Sequence, residues 1–268
     1  MDMIRDLSLA LRTVWESTST TIEGLLGLLG LGAFTLVFVL CTLRAWRRRP
    51  FAIRALPAVQ RVRAAVGRAM ETGEQVHVTL GSGGLGDLNT ADTLAGLSLV
   101  SYLARRGAQA EIPVQVRVAE PTALAGSWAV LQQGAESTGY PEVFDPRQAE
   151  WVAPSPLAYG AGVSSAVARE PMVVNALVGA FGPEALLAAQ AGLRRGVLQV
   201  GGTSAPTILP LFVGTMDATL MGEEIYAVGA ALDRPEHTGS LAAQDLFRVA
   251  IALGIWVATL LAVLGRLR

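Results

Sequence analysis

Two long apolar runs stand near the two ends of the chain. The first, residues 24–43, contains 20 positions with no ionisable side chain other than the thiol of Cys41. With a helical rise of about 1.5 Å per residue it spans about 30 Å, the thickness of the hydrocarbon layer of a bilayer. The second, residues 247–267, has an uninterrupted apolar core from Val249 to Leu264. We expect both runs to form transmembrane helices, although the length of the second also permits a buried C-terminal core helix.

Between these runs, short β-branched segments alternate with longer segments rich in alanine and leucine. The strand-like segments are residues 75–80, 114–119, 150–153, 172–179 and 197–202. The helix-like segments are residues 88–105, 121–133, 157–169, 183–195 and 208–232, the last as one or two helices. This alternation predicts an α/β domain over residues 73–239, with a mostly parallel, Rossmann-like sheet covered by helices on both faces. One N-terminal and one C-terminal transmembrane helix would flank it.

The arginines are distributed asymmetrically around the first apolar run. Eight arginines and no acidic residue lie between Arg44 and Arg68, whereas residues 1–23 carry four acids and two arginines. By the positive-inside rule, we expect the central domain to be cytoplasmic and both termini to lie outside, with residues 1–23 as an external segment.

Residues 44–72 form a basic juxtamembrane helix or linker in this interpretation. A helix here could lie along anionic inner-leaflet lipids, or it could be a solvated linker whose charges only set the topology. The candidate lipid-facing residues are Arg44, Arg47, Arg48, Arg49 and Arg54.

The composition supports a membrane protein and excludes or disfavours several kinds of catalytic and binding site. Only 16% of the residues are charged, against about a quarter in an average soluble domain. All 21 basic residues are arginine, so a P-loop or Schiff-base lysine is excluded. One cysteine and two histidines leave little material for a metal site, and we predict none. The net charge of −1 disfavours nucleic-acid binding.

A GxGxxG pattern follows the first predicted strand. Its candidate ligand-binding residues are Gly81, Ser82, Gly83, Gly84 and Gly86. In dinucleotide folds such glycines let the backbone approach a pyrophosphate at a helix N-terminus. The acid required about 20 residues further on is missing, because Glu120 comes 34 residues after Gly86.

Three predicted strands end in glycine-rich segments, which would meet at the carboxyl edge of a parallel sheet. These segments are Gly81–Gly86, Gly179–Gly182 and Gly201–Ser204. Such an edge forms a ligand crevice where the strand order reverses. The third segment adds the candidate binding residues Gly201, Gly202, Thr203 and Ser204. The alternative is that these glycines only terminate turns, since the chain contains 29 of them. The cofactor stays undefined.

The densest acidic group of the central domain is Asp217, Glu223 and Glu224. Asp217 lies seven residues before Glu224, so the two could share a helical face. Ion pairing with nearby arginines or capping is the favoured interpretation. His77 stands between Val76 and Val78 in a predicted strand, and we interpret it as a structural histidine rather than a ligand.

Three stretches carry a resemblance to a known family. They are GSGGLGDLNTADTLAGL (81–97), VVNALVGAFGPEALLAAQAG (173–192) and DATLMGEEIYAVGAAL (217–232). They resemble an uncharacterised bacterial membrane-protein family of the Chloroflexi type, a domain of unknown function. The resemblance implies a membrane-bound α/β domain and brings no activity, cofactor or catalytic residue.

These observations predict a twice-anchored cytoplasmic α/β domain in the bacterial inner membrane. We expect an assembly or accessory subunit, as a homo-oligomer or with other membrane subunits, and the residues indicate no catalysis. The alternative is a sensor or enzyme that binds a nucleotide or another anion at the glycine-rich loops on the carboxyl edge of the sheet.

Overall fold

The computed structural model describes residues 22–47, 54–232 and 238–266. Two compact units are present: Met1–Ala52 with Pro235–Arg268 contains the terminal helices, and Ile53–Arg234 contains the α/β domain.

The elements follow the predicted alternation. In chain order they are α1 (Ile22–Trp46), α2 (Pro57–Thr72), β1 (Gln75–Gly81), α3 (Thr90–Ala110), β2 (Val114–Val118), α4 (Pro121–Thr138), β3 (Ala149–Trp151), α5 (Pro156–Arg169), β4 (Met172–Ala180), α6 (Ala185–Arg195), β5 (Leu198–Thr203), α7 (Leu209–Thr215), β6 (Ala218–Met221), α8 (Val228–Leu232) and α9 (Thr238–Arg266). Short 3₁₀ turns precede β3 and follow β6.

The six strands form one sheet in the order β3-β2-β1-β4-β5-β6, and every neighbouring pair is parallel. The chain moves outward from β1 to β3, returns to place β4 beside β1, and then moves outward in the other direction. The strand order therefore reverses between β1 and β4, which is where ligands bind in folds of this type. The predicted α/β class with a parallel sheet is confirmed.

The segment 208–232 differs from its predicted all-helical structure. It contains α7, then β6, a 3₁₀ turn over Gly222–Ala227, and the short α8. The four residues of β6 have no strong strand preference of their own. They are extended because Val200 to Thr203 of β5 pair with Ala218 to Met221 along the edge of the sheet.

The two faces of the sheet differ in chemistry. One face is aliphatic and packs against α2, α3 and α4, with Val76, Val78, Val116, Val174 and Val200 in its core. The other face packs against α5, α6 and α7 through Tyr159, Val163, Ala188 and Phe212. Its strand positions include five buried polar side chains: His77, Thr79, Arg117, Asn175 and Gln199.

Helix α2 lies in the same compact unit as the sheet, so this unit includes part of the segment 44–72 that was predicted to be juxtamembrane. Its buried side chains are Ala58, Val59, Val62, Ala65, Val66 and Ala69. They lie at helical spacing and enter the aliphatic core, while Arg61 and Arg68 are exposed on the opposite side. Burial of this apolar stripe against the sheet explains why the segment is a packed helix rather than a linker.

Helices α1 and α9 pack antiparallel within their own unit. The beginning of α9 meets the end of α1, because a Cβ on Gly239 would lie 2.6 Å from the carbonyl oxygen of Cys41. Further along, the rings of Phe34 and Phe247 are 4.9 Å apart and edge to face. Ala45 and Ala243 are buried.

One segment of the described helices, Gly27–Trp46, is long and apolar enough to cross a membrane, and only 6% of its most apolar stretch is buried. By length and composition it fits a membrane span or a signal sequence. Within the described part of α9 no second such stretch is found, so the C-terminal span stays a prediction.

Candidate functional site

The carboxyl edge of the sheet begins where β1 and β4 meet. Gly81 has a φ of +84°, and a Cβ there would lie 1.8 Å from the carbonyl oxygen of Ala180. A Cβ on Gly179 would lie 2.0 Å from the carbonyl oxygen of Leu80. These two glycines therefore allow the two strand backbones to approach at the point where the strand order reverses.

The backbone amides of the loop after β1 are largely hydrogen bonded within the protein. Gly84 N donates to Asp87 Oδ2 at 3.0 Å, and Asn89 N donates to Asp87 Oδ1 at 2.7 Å. Ser82 N donates to the carbonyl oxygen of Ala180. Three further backbone nitrogens donate to side-chain hydroxyls: Gly81 N to Tyr159 Oη, Leu85 N to Thr122 Oγ1 and Gly86 N to Thr90 Oγ1. The carboxylate of Asp87 thus accepts hydrogen bonds from backbone amides of the kind that bind a phosphate in a dinucleotide fold.

The loop also departs from the dinucleotide pattern in its length. Helix α3 begins at Thr90, four residues beyond the last glycine of the motif, Gly86. The structure does bring the acid at the end of β2 to the loop, since a Cβ on Gly84 would lie 3.6 Å from the Cβ of Glu120. Glu120 comes later in the sequence than the corresponding acid of dinucleotide folds because α3, which precedes it, is 21 residues long.

The third glycine segment is part of a strand rather than a loop. Gly201 and Gly202 lie inside β5, and a Cβ on Gly201 would meet Met216 at 2.7 Å and Phe212 at 2.9 Å. These glycines make room for packed side chains. Thr203 ends the strand and is fully buried.

Ser204, which follows β5, belongs to a polar cluster that sequence reasoning missed. Ser204 Oγ and Tyr226 Oη each donate to the carboxylate of Asp92 at 2.6 Å. Asp92 lies in the first turn of α3 and is buried. Desolvation by burial, followed by the hydrogen bond to Asp92, raises the pKa of Tyr226. In the sequence, Asp92 resembles any acid in the first turn of a helix, and such acids are common because they complement the helix dipole.

The acidic residues predicted as a group are not brought together. Asp217 precedes β6 at the amino edge of the sheet, where its Oδ2 accepts from Gln199 N at 2.8 Å. Glu224 follows β6 at the carboxyl edge, where its Oε2 accepts from Met221 N at 3.0 Å. Glu223 lies in the same turn. The short β6 therefore separates Asp217 from the two glutamates.

His77 belongs to a polar row that crosses the centre of the sheet. His77 and Asn175 are Cα partners in neighbouring strands, and their side chains hydrogen bond at 2.9 Å. Asn175 Nδ2 donates to Gln199 Oε1 at 3.2 Å, and Gln199 Nε2 donates to the carbonyl oxygen of Thr215. Desolvation and the nearby Arg117 charge lower the pKa of His77 to about 4.

Three of the candidate lipid-facing arginines, Arg44, Arg47 and Arg54, are exposed. Arg48 and Arg49 lie outside the described residues.

Exposed apolar side chains also occur at the carboxyl edge. Leu88 is fully exposed in the loop after β1, and Leu94 on α3 is 51% exposed. Met221 at the end of β6 and Tyr226 in the turn beyond it are both about half exposed. Apolar surface that gathers in one region of a domain is typical of an interaction site.

The strand order and the all-parallel pairing define a Rossmann-like α/β domain, joined here to two terminal helices. The chain belongs to the DUF6754 family, a domain of unknown function whose model matches residues 18–267. This confirms the resemblance as far as a domain of unknown function, and the Chloroflexi origin stays a prediction. No curated protein and no solved structure matches the chain.

Proposed function

We propose that the protein is a membrane-anchored α/β subunit that assembles with membrane partners rather than a catalyst. The observation that carries the proposal is the antiparallel pair α1 and α9, whose apolar side chains point outward. Leu29, Leu31, Leu36, Ile255 and Trp256 are each more than 60% exposed. Exposed apolar surface of this extent on helices is what the hydrocarbon layer of a bilayer covers.

The antiparallel packing also supports the predicted topology. The end of α1 and the beginning of α9 lie at the same end of the helix pair. The chain therefore leaves the pair and returns to it at one end, and the eight arginines that follow the first apolar run support a cytoplasmic position for that end. In this proposal α9 is the second span of an inner-membrane protein, with both termini outside.

The carboxyl edge of the sheet supports an assembly role in two ways. Its loop amides are hydrogen bonded within the protein, which leaves few donors for an anionic substrate. Its surface instead presents the apolar side chains of Leu88, Leu94, Met221 and Tyr226. We propose that this apolar edge is the face that contacts other subunits, either copies of this chain or different membrane proteins.

A native mass spectrum of the full-length protein, gently extracted from its membrane, tests this proposal. We expect a defined multimer or a complex with other subunits, and we expect Leu94→Ser to reduce its abundance. Leu193→Ser is the matched control, because Leu193 is 54% exposed on α6 near the amino edge. A monomer in every gentle detergent would contradict the proposal, as would equal effects of the two substitutions.

The second candidate function is a sensor or enzyme that binds a nucleotide or another anion at the glycine-rich loop. The observation that favours it is the position of Glu120 beside Gly84 at the end of β2, where dinucleotide folds hold the ribose. In this case the spectrum would contain a monomer with the reproducible extra mass of a nucleotide. Binding would also require the carboxylate of Asp87 to leave the loop amides.

A further inference from the structure

A cleft of about 320 Å³ opens between the β2–β3 edge of the sheet and helix α5. It lies on the polar face of the sheet, away from the loops of the carboxyl edge. Its charged and polar lining consists of Arg117, Glu150, Ser165, Arg169 and Glu170. The volume is within the range of small-molecule sites in proteins.

Arg117 forms the buried wall of the cleft, with 6% of the residue exposed. Its Nε donates to Glu150 Oε2 at 3.3 Å, and its Nη2 donates to Glu170 Oε1 at 2.6 Å. These two ion pairs hold the guanidinium in place. Its Nη1 is buried and has no hydrogen-bond partner among the residues that the structure describes. A buried guanidinium nitrogen without a partner is costly, so a missing acceptor is expected here.

The strand beside Arg117 carries two more polar atoms of this kind. Thr79 is the Cα partner of Arg117 in the sheet, and its buried Oγ1 has no hydrogen-bond partner in the described part of the chain. The same holds for Nε2 of His77, two residues earlier. Thr79 and His77 do not line the cleft, but together with Arg117 they give this face of the sheet three buried polar atoms without a hydrogen-bond partner among the described residues.

Arg169 supplies a second guanidinium at the rim of the cleft. Its Nε donates to the carbonyl oxygen of Ser165, and its Nη2 donates to the Ser165 hydroxyl. Its Nη1 is not engaged by these bonds. Two guanidinium groups, one buried and one exposed, therefore line the same cleft, and neither Nη1 is hydrogen bonded to a described residue.

The two carboxylates of the cleft are engaged to different extents. Glu170 accepts from Arg117 and from Gln75 Nε2, which uses both of its oxygens. Desolvation raises the pKa of Glu170, but these hydrogen bonds outweigh it and lower the pKa overall. Glu150 uses only Oε2, and its side chain is 58% exposed. Glu150 thus keeps one carboxylate oxygen for a cationic group.

We propose that this cleft binds a small zwitterion, namely a free α-amino acid with an apolar side chain. Its carboxylate would accept from Nη1 of Arg117 and Arg169, and its ammonium group would donate to Glu150. The two arginines and two glutamates balance in charge, so a dianion would meet two carboxylates and a lone cation would meet two guanidinium groups. Val152 and Ala166 supply the apolar part of the lining.

Thermal unfolding of the full-length protein in detergent tests the proposal. The probes are L-alanine, L-valine and L-leucine, each compared with its N-acetyl derivative, its amide and inorganic sulfate. We expect at least one free amino acid to raise the unfolding temperature, because a ligand that binds only the folded state stabilises it. Its N-acetyl derivative, its amide and sulfate should have no such effect.

Equilibrium dialysis with the best amino acid then assigns the site. Arg169→Gln removes one charge-assisted hydrogen bond and should weaken binding roughly ten- to a hundredfold. Arg194→Gln is the matched control, because Arg194 is also exposed in the last turn of a helix but lies outside the cleft. The proposal is overturned if no amino acid binds, if sulfate or the modified forms bind equally well, or if the two substitutions have the same effect.

Discussion

At the scale of the residue, His77 is held in a neutral state by its surroundings. It is fully buried, its Nδ1 contacts Asn175 Oδ1, and the positive charge of Arg117 is nearby. Burial and this charge both disfavour the imidazolium form, so the pKa falls from 6.5 to about 4. The polar row of His77, Asn175 and Gln199 therefore joins three strands without a formal charge.

This pKa shift predicts a loss of stability in mild acid. The unfolded chain takes up a proton at His77 below pH 6.5, whereas the folded protein does so only below about pH 4. Stability should therefore fall as the pH decreases through this window, by up to about 3 kcal/mol in total. The measurement is the unfolding temperature of the detergent-solubilised protein between pH 7 and pH 4.

His77→Gln keeps an amide that can hydrogen bond to Asn175 and removes the titrating group, so the pH dependence in this window should become flatter. His237→Gln, which removes the other histidine of the chain, is the comparison variant. If His77→Gln retains the full pH dependence, another group is responsible and the assignment is wrong.

The site residues show where sequence reasoning ended. The pattern correctly placed Gly81 at the end of the first strand, because a glycine pattern between a strand and a helix has few other structural interpretations. Asp87 and Asp92 were missed, because their roles depend on which backbone amides and hydroxyls the tertiary fold brings to them. Ser204 lies 112 residues from Asp92 in the chain, and no local pattern relates the two.

At the scale of the element, strands were predicted where their own residues prefer extended structure. The β-branched β1, β2, β4 and β5 were all predicted, because Val and Thr fit a pleated, buried surface. Strand β6 was not, because its sequence ATLM is extended only through its pairing with β5. Helix α2 lies in a segment that was predicted as a helix or linker, because the surface that covers its apolar stripe depends on the tertiary fold.

The contact between α1 and α9 makes a prediction about helix packing. A Cβ on Gly239 would lie 2.6 Å from the Cys41 carbonyl oxygen and 2.8 Å from the Cα of Thr42, both backbone atoms. Gly239→Val should therefore separate the two helices. The measurement is disulfide formation between cysteines introduced by Phe34→Cys and Phe247→Cys in a Cys41→Ser background, and the yield should fall severalfold.

The matched control is Gly254→Val on the same helix, since no described atom lies within 4 Å of a Cβ at Gly254. This substitution should leave the disulfide yield unchanged. An unchanged disulfide yield in Gly239→Val would show that the helices do not meet as described.

Gly27, Gly30 and Gly32 of α1 form a stripe that resembles a helix-packing motif. A Cβ at any of these three would meet no atom of the described residues within 4 Å, so these glycines take no part in the described contact.

At the scale of the whole molecule, the proposed topology predicts which parts of the chain a reagent can reach. In a Cys41→Ser background, Ser8→Cys tests the N-terminal segment and Ser155→Cys tests the α/β domain, where Ser155 is exposed. A membrane-impermeant maleimide should label Ser8→Cys in intact spheroplasts. It should label Ser155→Cys only after the membrane is opened.

The Cys41→Ser parent without an added cysteine gives the background signal. The reverse labelling pattern would place the domain outside and invert the topology. Equal labelling of both sites in intact spheroplasts would show that no membrane separates them.

The arginine asymmetry on which the proposed topology rests is a property of the sequence, so it could be recognised without the structure. The antiparallel contact of the helices could not.

The pairing of α1 with α9 has a consequence for how the protein is made. Phe34 meets Phe247 only after the intervening chain of more than 200 residues has left the ribosome. At about 5–20 residues per second, α1 waits roughly 10–40 s for its partner. The last strand of the α/β domain, β6, ends at Met221, only 26 residues before Phe247. The helix pair therefore closes only after all six strands of the domain have been synthesised.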